Sequence, residues 1–406
     1  MRPHALAASA LQLIMLAGCA GGPAAGPFDD DLAFLQAHVD TIVLAAPDGA
    51  RVAVVPAYQG RVMTSTPGGG SGASFGWINR ELIGSRRFVE HMNGFGGEDR
   101  FWIGPEGGQF SVFFAPGTKF DLADWYTPAP IDSEPFAVVA ASPTRAVFGR
   151  KFTLSNRSGT RFDVAVERAV QLREPGEVLR RLGTALDPAV RAVSFETENT
   201  LTNAGTAAWT KQSGLLSIWI LGMFVASPAA TVLIPFVPGA DATLGPVVND
   251  EYFGRIAADR LRIDAERNLI VFRGDAQSRG KIGVGPARAR PLLGSWDAGR
   301  GVLTLVEFTL PEGARDYVNS LWRLQDDPFG GDVVNSYNDG PSAPGGVGFG
   351  NFYELESSSP ALALLPGASA THVHRTTHLV GPRPALAAIA QQVLGADLDA
   401  LPAPAR

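Results

Sequence analysis

Residues 41–65 read TIVLAAPDGARVAVVPAYQGRVMTS, and the period of this stretch decides the fold class. Apolar side chains alternate in 41–44, 51–55 and 60–65, with Pro-Asp-Gly and Pro-Ala-Tyr-Gln turns between them. A period of two sends successive side chains to opposite faces, and Gly and Pro supply the turn backbone. Working outward, the same pattern predicts short strands at 110–114, 136–140, 146–154, 161–172, 192–203, 215–223, 231–237, 261–263, 269–272, 301–310, 350–356 and 369–380. Helical periodicity is confined to 29–39, 177–185, 316–324 and 384–394. Many short strands without a strand–helix rhythm predict an all-β, antiparallel sandwich rather than a parallel sheet. No repeat of fixed period and no Pro/Ser/Gly linker divides the body. The expectation is one domain over 29–383, followed by a helix and tail over 384–406.

Composition narrows the function. The 406 residues carry 34 basic and 40 acidic side chains, a formal net charge of −6, which argues against a nucleic-acid binder. With 45% hydrophobic and 18% charged residues, the chain is neither disordered nor a coiled coil.

The N-terminus reads as an address. Arg2 gives a short positive region, and 5–18 is apolar but too short to span a bilayer, as a signal peptide over 1–18 would be. It ends Leu16-Ala17-Gly18-Cys19, which resembles the bacterial lipobox; Cys19 is the only cysteine and the expected lipidation site. Residues 19–28, rich in Gly, Ala and Pro, read as the lipidated tether. Ala20 after the cysteine fits outer-membrane sorting, so the expectation is an envelope lipoprotein held to the membrane by lipid and facing the periplasm or the exterior.

Several chemistries are excluded by spacing. Residues 274–281 imitate a phosphate loop, but five residues separate Gly274 from Gly280, and Ile282 stands where a Ser or Thr would hold magnesium. No Gly-x-Ser-x-Gly elbow, His-Glu-x-x-His helix or EF-hand loop is present. His372, His374 and His378 share one face of the last predicted strand, but His378 lies ~13–14 Å along the axis from His374. They read as a polar strand face, with no metal and no cofactor expected.

Three dense stretches remain: Gly60-Arg-Val-Met-Thr-Ser with Ser74-Phe-Gly-Trp77, His91-Met-Asn-Gly-Phe-Gly-Gly-Glu98-Asp99-Arg100-Phe-Trp102-Ile-Gly-Pro-Glu106, and Gly350-Asn-Phe-Tyr-Glu354-Leu-Glu356. Gly-Phe-Gly-Gly allows tight backbone beside two carboxylates, a guanidinium and an indole, the usual equipment for reading sugar hydroxyls and covering C–H faces. Glu354 and Glu356 leave one strand face roughly 7 Å apart, so one can have its pKa raised by burial or by its neighbour, as a general base near neutral pH requires. Candidate catalytic residues are Glu354, Glu356 and Arg100; candidate substrate contacts are His91, Glu98, Asp99, Trp102, Trp77 and Asn338. The last lies in the Asx-rich run 335–341.

On these residues, together with Asn199-Thr-Leu-Thr-Asn-Ala-Gly205 and Pro366-Gly367 before the last strand, the chain resembles the galactose-mutarotase-like (aldose 1-epimerase-like) superfamily, closest to a bacterial lipoprotein branch, over residues 41–379. The resemblance implies a large β-supersandwich with a sugar-sized groove, a late-strand glutamate as base, matched by Glu354 or Glu356, and a central histidine as acid. No histidine lies between His91 and His372, leaving Lys211, Arg279 or Asp99 for that role. Three functions stay open: a carbohydrate epimerase or other carbohydrate-active enzyme, a non-catalytic glycan-binding lipoprotein, and a structural envelope protein. The expected groove joins 98–106 to 353–356.

Overall fold

The computed structural model of the chain describes residues 28–68, 72–343 and 345–401; the signal segment, Cys19 and the tether as far as residue 27 lie outside the described residues. Three sheets are formed, and all of their strand pairings are antiparallel. A ten-stranded sheet runs in the order Leu261–Asp264, Leu269–Arg273, Ala230–Pro235, Leu292–Asp297, Val302–Phe308, Ser369–Val380, Arg191–Asn203, Arg161–Arg173, Arg145–Ser155 and Ala137–Ala141. A five-stranded sheet is ordered Gly280–Val284, Val334–Asn338, Phe352–Ser358, Ser217–Val225 and Arg100–Gly104. A small sheet is built from Ile42–Ala45, Arg51–Val55 and Arg61–Thr66, the stretch whose alternation set the fold class. The all-β antiparallel architecture expected from the sequence is the one observed.

The larger sheets pack inner face to inner face. Phe224, Tyr353 and Leu355 of the smaller meet Val232, Ile270, Leu293 and Val306 of the larger, all buried. The interior is not wholly apolar. Ser295 and Tyr353 share a hydroxyl hydrogen bond of 2.8 Å, and Ser357 Oγ lies 2.8 Å from both His372 Nε2 and His374 Nδ1. Burial drives the pKa of His372 down to about 3 and that of His374 to about 4, so both imidazoles are neutral there. His372, His374 and His378 do share one strand face, but they engage hydroxyls and, for His378, the Glu98 carboxylate. Among the described residues no cluster of His, Cys, Asp and Glu is arranged to hold a metal. The outer face of the large sheet is covered by the helix Arg383–Leu394, whose Leu386, Ile389 and Leu394 pack with Leu303, Leu305 and Leu379.

Helices Phe28–His38 and Arg383–Leu394 lie where apolar periodicity predicted them, and Pro175–Arg181 overlaps the one expected at 177–185. The fourth, 316–324, is not helical: Tyr317 bridges to Gly330, and the Gln325 amide donates to the carbonyls of Asn319 (3.0 Å) and Leu321 (2.8 Å). Residues 110–114 form a turn rather than a strand, because Ser111 Oγ accepts from the backbone amides of Phe113 (3.0 Å) and Phe114 (3.2 Å). Four strands had no sequence-based expectation: Arg100–Gly104, Gly280–Val284, Leu292–Asp297 and Val334–Asn338. Three of those four belong to the five-stranded sheet.

Candidate functional site

The outer face of the five-stranded sheet forms the floor of a cleft of about 570 Å³. Strand alternation decides which side chains reach it. On Phe352–Ser358, Phe352 and Glu354 look outward while Tyr353 and Leu355 enter the core. Register carries the same face across the sheet. Arg100 is opposite Leu221, Leu221 opposite Glu356, Glu354 opposite Met223, and Lys281 opposite Tyr337. Residues 254 apart in sequence therefore meet: Arg100 Nη2 donates to Glu354 Oε1 at 3.0 Å, with both side chains buried. The guanidinium also lies 4.1 Å from the Trp102 ring centroid, a cation–π contact that fixes its plane.

A second ion pair lies beside the first. Lys281 Nζ donates to Glu356 Oε2 at 3.0 Å, the Trp219 indole N–H donates to the same oxygen at 2.8 Å, and the ammonium sits 4.6 Å from the Trp219 ring. Burial opposes the Lys281 charge, but Glu356, Glu106 and Glu354 outweigh it together and raise its pKa. Glu354 is shifted the opposite way for a carboxyl. Burial pushes its pKa up to about 8, with Arg100 working against the shift and Glu356 adding to it. Glu106, also on the cleft wall, is raised mainly by burial. The floor thus combines two carboxyl groups whose protons are held more tightly than usual with two fixed cations. Trp77, Trp102, Trp125, Trp219 and Trp322 line the same cleft. Among the described residues, the buried indole nitrogens of Trp102 and Trp125 and the Arg100 Nε have no hydrogen-bond partner, and neither does Glu356 Oε1.

The family model that matches covers nearly the whole chain, residues 26–403. The chain belongs to DUF6786, a family of unknown function. No curated protein matches it. Among solved structures, it is similar to the Slr1438 protein from Synechocystis sp. PCC 6803 at 14% identity and a TM-score of 0.49, covering 85% of this chain and 96% of that one. It is also similar to a galactose mutarotase-like protein from Lactobacillus casei (11% identity, TM-score 0.46, 84% and 100% covered). A third likeness is to a galactose mutarotase related enzyme from Lactobacillus acidophilus (11%, TM-score 0.45, 84% and 97%).

In this DUF6786 chain the residues singled out from sequence separate into two groups. Arg100, Trp102, Trp77, His91 and Glu354 line the cleft, and Glu356 lies beneath its floor on Lys281. The segments 98–106 and 353–356 do meet on one face, joined through Ser217–Val225. Glu98, Asp99 and Asn338 are placed elsewhere, which corrects their reading as substrate contacts. Glu98 precedes the strand and is wholly buried, accepting from the Ser65 amide (2.5 Å) and hydroxyl (2.8 Å) and pairing with His378 Nε2 at 2.9 Å. Asp99 points into the core, where it pairs with Arg168 at 2.6 Å and accepts from Thr197 at 2.9 Å. Asn338 faces inward from its strand and ties down the 275–278 turn, accepting from the Ala276 amide at 2.9 Å and donating to the Ser278 carbonyl at 2.9 Å. Lys211 is half exposed and paired with Asp316 at 2.7 Å, whereas Arg279 does line the cleft. Sequence reasoning missed Lys281, Tyr337, Trp125, Trp219 and Trp322 as cleft residues, while Glu106 closes the 98–106 segment expected there. The alternation in Gly280–Val284 and Val334–Asn338 was the available signal for Lys281 and Tyr337, and a phosphate-loop spacing and an Asx-rich turn masked it.

Two glycines make the wall possible. Gly96 has φ of +91°, and a Cβ there would lie 2.0 Å from the Trp77 carbonyl oxygen. A Cβ on Gly350 would fall 2.1 Å from the Trp77 ring. Trp77 is thereby clasped between two glycine segments and packed at a tilt of 31° against Phe352, with centroids 4.7 Å apart.

Proposed function

We propose that the cleft binds a carbohydrate and that Glu354 exchanges a proton with it. The observation that carries this reading is a buried carboxyl, raised to about 8 and hydrogen-bonded to Arg100, on the floor of a tryptophan-lined cleft. Indole faces cover the C–H faces of a pyranose, and the Arg100 fork meets its hydroxyls. A carboxyl with this pKa is part protonated near neutral pH, so it can both give and accept a proton, as epimerisation at a hydroxyl-bearing or anomeric carbon requires. Lys281 and Glu356 stabilise the charge that develops beside it.

The second reading is glycan capture without turnover. It is favoured by the pairing of both glutamates with cations and by the fact that His91 is the one histidine on the cleft wall among the described residues, its Nδ1 lying 2.6 Å from the Trp125 carbonyl oxygen. One experiment separates them: NMR of a monosaccharide and oligosaccharide panel with catalytic amounts of protein, following anomeric exchange and line width together. Accelerated exchange or product that vanishes in Glu354→Gln supports the enzyme; broadening without either supports capture; neither effect refutes both. As part of the same proposal the chain is lipidated on Cys19 and held in the cell envelope, most consistently with the outer membrane. Cys19→Ala then moves the protein from the membrane to the soluble fraction, and retention in the membrane fraction would refute the anchor.

A further inference from the structure

The mouth of the cleft is apolar in a way its floor is not. Four separate loops each bring one large hydrophobic side chain to its lining and leave it in water: Val89 (42% exposed), Leu122 (55%), Phe253 (41%) and Phe349 (59%). They come from the segments between Arg80–Ser85 and Arg100–Gly104, before Asp132, after Leu244, and between Val334–Asn338 and Phe352–Ser358. Single exposed apolar residues are ordinary, but four from different loops lining one opening are a mark of a binding surface. The floor below presents the opposite chemistry, namely Arg100, Glu354 and Lys281. A free hydrophilic sugar would use the floor and leave the rim wet.

We infer that the ligand is an amphiphilic glycoconjugate, a sugar seated on the charged floor and bearing an aromatic or aliphatic aglycone that lies across the rim. The inference rests on the carbohydrate reading above and adds the chemical class of what the sugar carries. Polarity sets the orientation. The buried ion pairs of the floor favour a hydroxyl-bearing group; Glu81, Arg87 and Arg279 also line the cleft, Arg279 lying 4.6 Å from the Phe253 ring, so the aglycone is placed on the apolar side of the opening, past Phe253 and Phe349. Covering both rings with an aryl group removes enough apolar surface from water to tighten binding about tenfold.

The test is calorimetry on matched glycosides. Methyl and 4-nitrophenyl glycosides of glucose, galactose, mannose and N-acetylglucosamine, with 4-nitrophenol alone as control, are titrated into the wild type, Phe349→Ser and Phe253→Ser/Phe349→Ser. The expected result is at least one sugar whose 4-nitrophenyl glycoside binds about tenfold more tightly than its methyl glycoside. In the double variant that gain falls to about twofold or less while the methyl glycoside affinity is unchanged. Equal affinities in the wild type, or a gain that survives loss of both phenylalanines, overturn the inference and leave the carbohydrate reading standing. If 4-nitrophenol binds as well as its glycosides, or no glycoside binds, the carbohydrate reading itself fails and this inference with it. Vesicles of phosphatidylethanolamine and phosphatidylglycerol form the last arm. A rim whose variants lose vesicle binding without losing any aglycone gain is a membrane contact, which also overturns the inference.

Discussion

Glu354 is held in a position that costs stability as pH rises. Its folded pKa, about 8, lies above the ordinary carboxyl value of 4.5, so between those values the folded chain binds more protons than the unfolded chain. Its contribution is fully present below the unfolded value and is lost as pH climbs through the folded one. Glu354→Gln keeps the shape of the protonated form and removes the titration. The melting temperature of the variant relative to wild type is therefore expected to rise from pH 5 to pH 8.5, with thermal melts at half-unit intervals as the measurement; a flat difference would contradict the assigned environment. Lys281 gives a complementary prediction. Lys281→Met leaves Glu356 buried without its cation and should cost ~3–5 kcal/mol in urea denaturation, much of which Lys281→Met/Glu356→Leu recovers. A single variant as stable as wild type would mean that the pair is not buried as described.

Elements decide how far the site could be read in advance. The long strands at 161–173, 191–203 and 369–380 were legible because apolar and hydroxyl-bearing residues recur at a period of two, interrupted only by Arg168, Asn199, Asn203 and Arg375, and so was the outward pair Glu354 and Glu356. The strands Arg100–Gly104, Gly280–Val284 and Val334–Asn338 were not, because each is only five residues long and sits in a run that also reads as a glycine-flanked charged loop, a phosphate-loop spacing or an Asx-rich turn. Glu98 and Asp99 misled for a related reason: a charged run after glycines reads as exposed, while register and the Val62–Asp99 bridge bury it between sheets. At this scale Gly96 carries the prediction. Gly96→Ala is expected to destabilise by about 1–3 kcal/mol, since it must strain a positive φ and displace the Trp77 carbonyl. Gly117→Ala shares the positive φ, +80°, but has nothing within 4 Å of the added methyl. Denaturant midpoints should fall further for Gly96→Ala, and equal midpoints would remove the close approach from the account.

The whole molecule works by contrast between two faces of one small sheet. Its inner face joins the sandwich core through Tyr353, Leu355 and Ser357, which holds the strands rigid, and its outer face is free to carry charge and indoles. That division marks the tryptophans. Five of the chain's seven line the cleft, whereas Trp209 packs against Phe162, and Trp296 is buried in the cluster beneath the C-terminal helix. Their indole N–H signals are therefore internal reporters of where a ligand lies. The decisive measurement is a ¹H–¹⁵N correlation spectrum of the full chain without its signal segment, titrated with the glycan and glycoside panel and assigned by single Trp→Phe variants. The account predicts that at least one sugar shifts indole signals of Trp77, Trp102, Trp125, Trp219 and Trp322 while those of Trp209 and Trp296 stay fixed, and that Glu354→Gln weakens the response. Shifts confined to Trp209 and Trp296, or no shift with any sugar, would contradict it.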